Sequence, residues 1–367
     1  MTETTRPAAM MAEARLPTHD LAGDLAFFQG LGFRLDVIFP ADDPAVAVIS
    51  GFGLRIRLAR GAVDPPGTIR LLAEDPAVVA GPARELTSPG GTRVEIARLN
   101  PPMEIPPTEH AFIVRRLADE EPWVIGRAGM AYRDLIPGRL GGSIIASHIR
   151  IPGGGPVPDM VHYHTVGFQL IYCYRGWVDL VYEDQGPPFR LEAGDCVIQP
   201  PEIRHRVLYA SNGVEVIEIG VPAEHVTTID HEMTLPNGPA NADRVFQGQR
   251  FVHHKMAGAT WAPWRLPGLE ARDTGIGHGT AGVAAVQIAR ARAEATPWWR
   301  HTTDILLNFV LEGTMVLESR GQPKARLAPG EAFVIPPGLP VQYREMSADL
   351  ELLEVALPGA VPTDLVD

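Results

Sequence analysis

Residues 161–169 read Val-His-Tyr-His-Thr-Val-Gly-Phe-Gln. On a β-strand, residues i and i+2 point the same way, so His162 and His164 can face one side together. Gln169 opens the next apolar run and shares its face with Ile171 and Cys173. His205 follows the strand Asp-Cys-Val-Ile-Gln and the turn Gln199-Pro200-Pro201. Three imidazoles converging inside a barrel suit a divalent transition metal, and imidazole serves iron, zinc, copper and nickel alike. Gln169 could ligate through its carbonyl oxygen or hydrogen-bond a metal-bound water. His148, Arg139 and Arg150 lie on the preceding segment and are candidate catalytic residues. The two arginines could grip an anionic substrate with a fork of donors. Arg204 and Tyr163 have the opposite parity and should point outward.

The elements that must position these residues repeat. Arg133-Asp134-Leu135-Ile136 opens one copy and Arg272-Asp273-Thr274-Gly275 the other, and Gly176 matches Gly313, about 137 residues on. GDCVIQPPEIRH aligns with GEAFVIPPGLPV, and EVIEIGVP with ELLEVALP. Short runs rich in β-branched and aromatic residues, bounded by Gly, Pro and Asp, predict strands in each copy. Each copy is expected to be a jelly-roll barrel. In the second copy His162 becomes Trp299, His164 becomes His301, Gln169 becomes Leu306 and His205 becomes Val341. One histidine cannot hold a metal unaided, so that barrel is expected to serve packing or dimerisation.

The histidines and their spacing resemble the two motifs of the cupin superfamily. His162, His164, Gln169 and Gly176 match the first motif, with Gln169 where Glu is usual. Gly194, Pro200 and His205 match the second, with Glu202 where Gly is usual. The resemblance covers about 125–225 strongly and 265–360 more weakly. It implies a mainly β chain with two tandem cupin barrels, the first with a metal on His162, His164, Gln169 and His205. Two-cupin ring-cleaving dioxygenases of the gentisate type share this architecture. The resemblance therefore implies an iron(II) dioxygenase acting on a small hydroxy-acid, phenolic or enolisable dicarbonyl substrate. A redox-neutral isomerase, lyase or cyclase using zinc, manganese or nickel is the alternative, as is a non-catalytic small-molecule-binding cupin.

The N-terminal part reads as a small α+β unit. Asp20 is placed to cap a helix with Leu21, Leu25 and Phe28 on its apolar face, ended by Gly30 or Gly32. RLDVIF, AVAVIS and LRIRLAR then read as strands. This βαβββ pattern resembles half of a glyoxalase/bleomycin-resistance domain, whose metal site would have His19 and Glu95 as its candidates. A turn residue beside the helix cap is the simpler role for His19. The expected organisation is 14–99 for this unit, 100–122 a Pro-rich linker, 123–230 the metal-binding barrel, 231–265 a bridge and 266–360 the second barrel.

The formal net charge is −12, which makes nucleic acid and anionic membranes poor partners. A small-molecule substrate and a homodimer or higher homo-oligomer are expected instead. Cys173 and Cys196 are the two cysteines, too few for a disulfide framework and best read as small buried apolar residues. Without a signal-peptide core near the N-terminus or a membrane-length apolar run, the expected compartment is the cytoplasm.

Overall fold

A computed structural model describes residues 13–40, 44–119, 123–126 and 129–366. The N-terminal stretch read above for a signal peptide lies largely outside the described residues. The chain divides into two compact units, Met1–Pro102 and Met103–Asp367.

In the first unit, strand Ala14–Thr18 leads to the helix Leu21–Gly30 and then to strands Arg34–Phe39, Val46–Gly51 and Leu54–Arg60. The Asp20 carboxylate accepts from the Gly23 amide at 2.9 Å, satisfying one of the donors that a helix start leaves open. Leu21 and Phe28 are buried under the sheet, and Gly32 takes a positive φ of 100° just past the helix. A three-stranded sheet of Thr68–Ala73, Arg93–Arg98 and Glu85–Thr87 follows. His19 is exposed, and Glu95 is occupied by Arg70 at 3.3 Å and Arg93 at 3.0 Å.

The second unit holds two barrels of the same strand order. In the first, the large sheet runs Val252–His254, Cys196–Ile198, Phe168–Arg175, Val214–Val221, Ile145–Ile151, Ala131–Asp134, Val124–Ile125. In the second it runs Ile113–Arg115, Ala332–Val334, Ile305–Glu312, Glu351–Leu357, Ala285–Ala291, Leu269–Asp273, Ala262–Pro263. The strand at one edge of each large sheet comes from outside its own repeat. Ile113–Arg115 precedes the first barrel yet pairs with the second, and Val252–His254 precedes the second yet pairs with the first. The stretches expected as linker and bridge thus contribute the edge strands Ile113–Arg115, Val252–His254 and Ala262–Pro263 to the barrels, although residues 101–110 carry no regular structure.

Strand parity sorts the side chains. On Phe168–Arg175, Leu170, Tyr172 and Tyr174 join a core shared by the two large sheets, with Phe309, Leu353 and Val355 from the second barrel. Cys173 of the same strand points the other way, into the first barrel with Val178, Leu180 and Tyr182. The two cysteines are free and buried, one on each side of this sheet, and burial pushes the Cys173 thiol up to about 12. The repeated Arg-Asp pairs clamp the barrels reciprocally. Arg133 donates to the Gly330 carbonyl of the second barrel, and Arg272 to the Gly194 carbonyl of the first at 3.3 Å.

Candidate metal centre in the first barrel

His162 and His164 lie on the strand His162–His164, which pairs on one side with His205–Ala210 and on the other with Thr227–Ile229. His162 sits directly opposite His205. The alternation leaves Tyr163 outside, where the Arg204 guanidinium stacks on its ring at 4.2 Å. The three imidazoles converge, with ring centroids 4.2–5.2 Å apart. One ligand atom from each lies within 4.8 Å of the others, and all three side chains are buried.

The rings are held from behind. His162 Nδ1 donates to the Met160 carbonyl at 2.7 Å and His205 Nδ1 to the Ile203 carbonyl at 3.0 Å. His164 Nδ1 and the Thr227 hydroxyl are 2.9 Å apart. With Nδ1 engaged in each ring, Nε2 is the atom left to ligate, and such outer contacts fix the tautomer of metal-binding histidines. Asp159 Oδ1 lies 3.6 Å from His162 Nδ1, and its other oxygen accepts from the Val207 amide at 2.9 Å.

Gln169 is fully buried. Its amide nitrogen donates to Glu218 Oε1 at 2.6 Å, while its own Oε1 is buried with no hydrogen-bond partner. An orphaned buried carbonyl costs about 1–3 kcal/mol, and a cation would relieve that cost. Three imidazole nitrogens and an amide oxygen are a chemically competent donor set for a divalent metal.

Two cavities meet at this cluster and share His164, Tyr132 and Glu218. The inner one, about 70 Å³, is walled by Val178, Leu180, Tyr182 and His205. The outer one, about 530 Å³, opens past Ile145, Ser147, Arg139, His225 and Thr227. Arg139 stands on its rim, 3.6 Å from Asp134.

His148 and Arg150 are not brought to the pocket, which corrects their expected catalytic role. On Ile145–Ile151 the residues facing the pocket are Ile145, Ser147, Ile149 and Ile151. The intervening positions turn to the other face. There His148 packs against the rings of Trp123, Tyr174 and Phe309 and bonds Glu215 at 2.7 Å. Arg150 bonds the same carboxylate at 2.9 Å and stacks on Trp123. Burial depresses the His148 pKa, against the opposing pull of the Glu215 carboxylate. Burial opposes ionisation of Glu215, but the bonds to His148 and Arg150 outweigh it and hold its carboxyl at about 2.

Two pocket residues were not anticipated. Glu218 is the charged residue at an inward position of VEVIEIGV, next after inward Val214 and Val216, and that break in the apolar inward row is its signal. His225 lies in a loop, its ring 5.3 Å from that of His164, and no periodicity marks it.

In the second barrel Trp299, Leu306 and Val341 occupy the corresponding positions and are fully packed in its core with Tyr343. His301 donates to the Ile335 carbonyl at 3.0 Å, and burial lowers its pKa to about 4.

Residues 147–219 match the family model described as the cupin domain. The fold is the cupin jelly roll. The match lies within the first barrel and covers neither the N-terminal unit nor the second barrel. Comparison with curated proteins gives no match. Among solved structures, salicylate 1,2-dioxygenase from Pseudaminobacter salicylatoxidans is similar, at 15% identity and a TM-score of 0.51, covering 71% of this chain and 90% of that one. A point mutant of Bacillus subtilis oxalate decarboxylase is similar at 12% identity and a TM-score of 0.52, covering 74% and 88%. At such identities the likeness establishes the shared cupin fold and nothing finer. Among the described residues, no helix is long and apolar enough to cross a membrane.

Proposed function

We propose that the first cupin is a metal-dependent enzyme site, with a divalent transition metal held by His162, His164, His205 and the Gln169 carbonyl oxygen. The observation that carries this reading is the convergence of three buried imidazoles with a partnerless buried amide oxygen beside them. All four donors are neutral, so the ion's full charge would act on whatever it binds. A bound metal would lower the pKa of a chelated substrate oxygen and, if iron(II), pass electrons between substrate and O2.

The reaction we favour is oxygenation of a small hydroxy-acid, phenolic or enolisable dicarbonyl compound. The likeness of fold to salicylate 1,2-dioxygenase supports that chemistry by analogy. This chain's residues have definable tasks. The Met160 and Ile203 carbonyls and Thr227 fix the imidazole orientations. Glu218 turns the Gln169 amide so that its oxygen remains available. Val178, Leu180 and Tyr182 give the inner cavity an apolar wall. Arg139, on the rim, would meet a substrate carboxylate. Redox-neutral lyase or isomerase chemistry uses the same donor set, and the likeness to oxalate decarboxylase keeps it in view.

The test is O2 uptake by the iron(II)-reconstituted chain on a panel of phenolic acids and diketones. Uptake that disappears in the His205→Ala chain is expected. Turnover of a panel member without uptake, supported by zinc or manganese, would transfer the site to redox-neutral chemistry.

A further inference from the structure

The segments that lead into the two repeats match residue by residue. Arg115 pairs with Ala332, and His254 with Cys196, which hold the same place in the two barrels. Two residues on, the Leu117 amide donates to Glu331 at 3.2 Å and the Met256 amide to Asp195 at 2.7 Å. Each segment then reaches the Arg-Asp pair of its repeat at the same separation, so that Asp273 answers to Asp134.

The matching positions are filled differently. Ahead of the first barrel Arg115 is buried, its Nε donates to the Asp134 carbonyl at 3.1 Å, and its Nη1 lies 3.6 Å from Asp119. Ahead of the second, the shorter imidazole of His254 replaces that guanidinium, and Gly258-Ala259-Thr260 stand in place of Asp119-Glu120-Glu121. A cavity of about 480 Å³ lies there, walled by His254, Lys255, Thr260, Trp264, Asp273 and Gln287. Small-molecule sites typically measure about 300–1,000 Å³. The loop that forms one wall is fixed. Besides the Met256 bond to Asp195, the Ala259 amide donates to the Met256 carbonyl at 3.1 Å, across a turn in which Gly258 takes a φ of 86°.

The walls carry unspent bonding capacity. His254 Nε2 is buried with no hydrogen-bond partner, which is costly to maintain. Burial, with the Arg272 guanidinium nearby, holds the His254 pKa below its ordinary value. Gln287 accepts from the Trp264 indole through Oε1, which leaves its amide nitrogen to donate. Lys255 and Asp273 bring opposite charges to the one cavity, and among the described residues neither forms an ion pair. Their charged atoms therefore stand more than 4.0 Å apart. One molecule that carries both charges gives each end a charge-assisted hydrogen bond.

We propose that this cavity is a second ligand site and takes a small amino acid zwitterion, its carboxylate on Lys255 and its ammonium on Asp273. Thr260 and Gln287 add neutral hydrogen bonds, and Trp264 closes one wall. The site uses none of the metal-centre residues and does not rest on the enzyme reading above.

The test is ligand-observed saturation-transfer NMR on the full chain with β-alanine and γ-aminobutyrate, and with propionate and propylamine, which carry one charge each. The Lys255→Met, Asp273→Asn and Ala259→Glu chains and the His162→Ala, His164→Ala chain are titrated in parallel, with metal content measured. We expect saturable binding of at least one of the two amino acids, at least tenfold tighter than propionate or propylamine. Lys255→Met and Asp273→Asn each weaken it at least tenfold. Ala259→Glu, which returns an acid of the first segment to the cavity wall, abolishes it, and the metal-site double variant retains it. On the native chain alone, absence of saturable amino acid binding, or propionate bound as tightly, would overturn the proposal. So would binding unchanged in either charge variant, or binding lost with the metal-site histidines, which would place the ligand in the first barrel. Amino acid binding through Lys255 and Asp273 in a chain that takes up no metal would support this site while overturning the enzyme reading.

Discussion

Glu202 sits between two site residues in a backbone conformation that favours glycine. Its φ is 63°, and its amide donates to the His164 carbonyl at 3.0 Å, tying the turn before His205 to the strand of the other two histidines. At the matching position the second barrel has Gly338, with φ of 80°. A non-glycine residue in this region costs about 1 kcal/mol or more. Glu202→Gly is expected to raise unfolding stability by about 1 kcal/mol in denaturant titration; a loss would show that the Glu202 side chain contributes more than the strain costs. The motif histidines were legible because strand parity and spacing are local properties. The same parity rule, applied to Arg204 and Tyr163, placed both correctly outside. Parity alone does not place His148 and Arg150, because one strand does not say which of its faces meets the barrel interior. Glu218 was overlooked although the inward parity of its neighbours marks it.

At the scale of elements, the strands Ile145–Ile151 and Val214–Val221 carry a polar knot on the face toward the second barrel. Glu215, hydrogen-bonded to His148 and Arg150, titrates at about 2 against an ordinary 4.5. A depressed carboxyl pKa stabilises the fold fully above about 4.5, and the contribution is lost as pH falls toward 2. At about 1.4 kcal/mol per pH unit this corresponds to roughly 3.5 kcal/mol at most, reduced by solvent screening of the half-buried pair. His148 acts in the same direction. Its pKa is lowered from 6.5, so the unfolded chain takes up that proton first and stability starts to fall below pH 6.5. The melting temperature should therefore decline in two stages on acidification, and Glu215→Gln should flatten the lower stage. An unchanged slope between pH 4.5 and 2 would show that other carboxyls dominate. At the same scale, Phe309→Ala removes a buried ring that touches both His148 and Tyr174, with an expected cost of about 3–5 kcal/mol by denaturant titration. A cost under 1 kcal/mol would mean that the two sheets close over the gap.

Across the whole molecule, the two barrels depend on each other through a shared core, exchanged edge strands and the reciprocal arginines. A fragment of residues 123–230 would expose Leu170, Tyr172, Ile217 and Ile219 and leave the Cys196–Ile198 edge open. It is expected to aggregate or remain molten, while residues 103–367 fold cooperatively; a monodisperse fragment with dispersed amide resonances would contradict this. The repeat in the sequence made two barrels legible. It could not reveal the exchanged strands, because Ile113–Arg115 and Val252–His254 are three residues each and pair far from their own repeats. Short edge strands of this kind are specified by the partner sheet rather than by their own composition.

The proposed function depends on a metal held in the first barrel. The most direct measurement is divalent metal per chain, after purification without a metal-affinity tag and reconstitution, for the native protein and for the His162→Ala, His164→Ala double variant. About one ion per native chain is expected, with loss of that ion in the variant. Equal metal content in the two would contradict it.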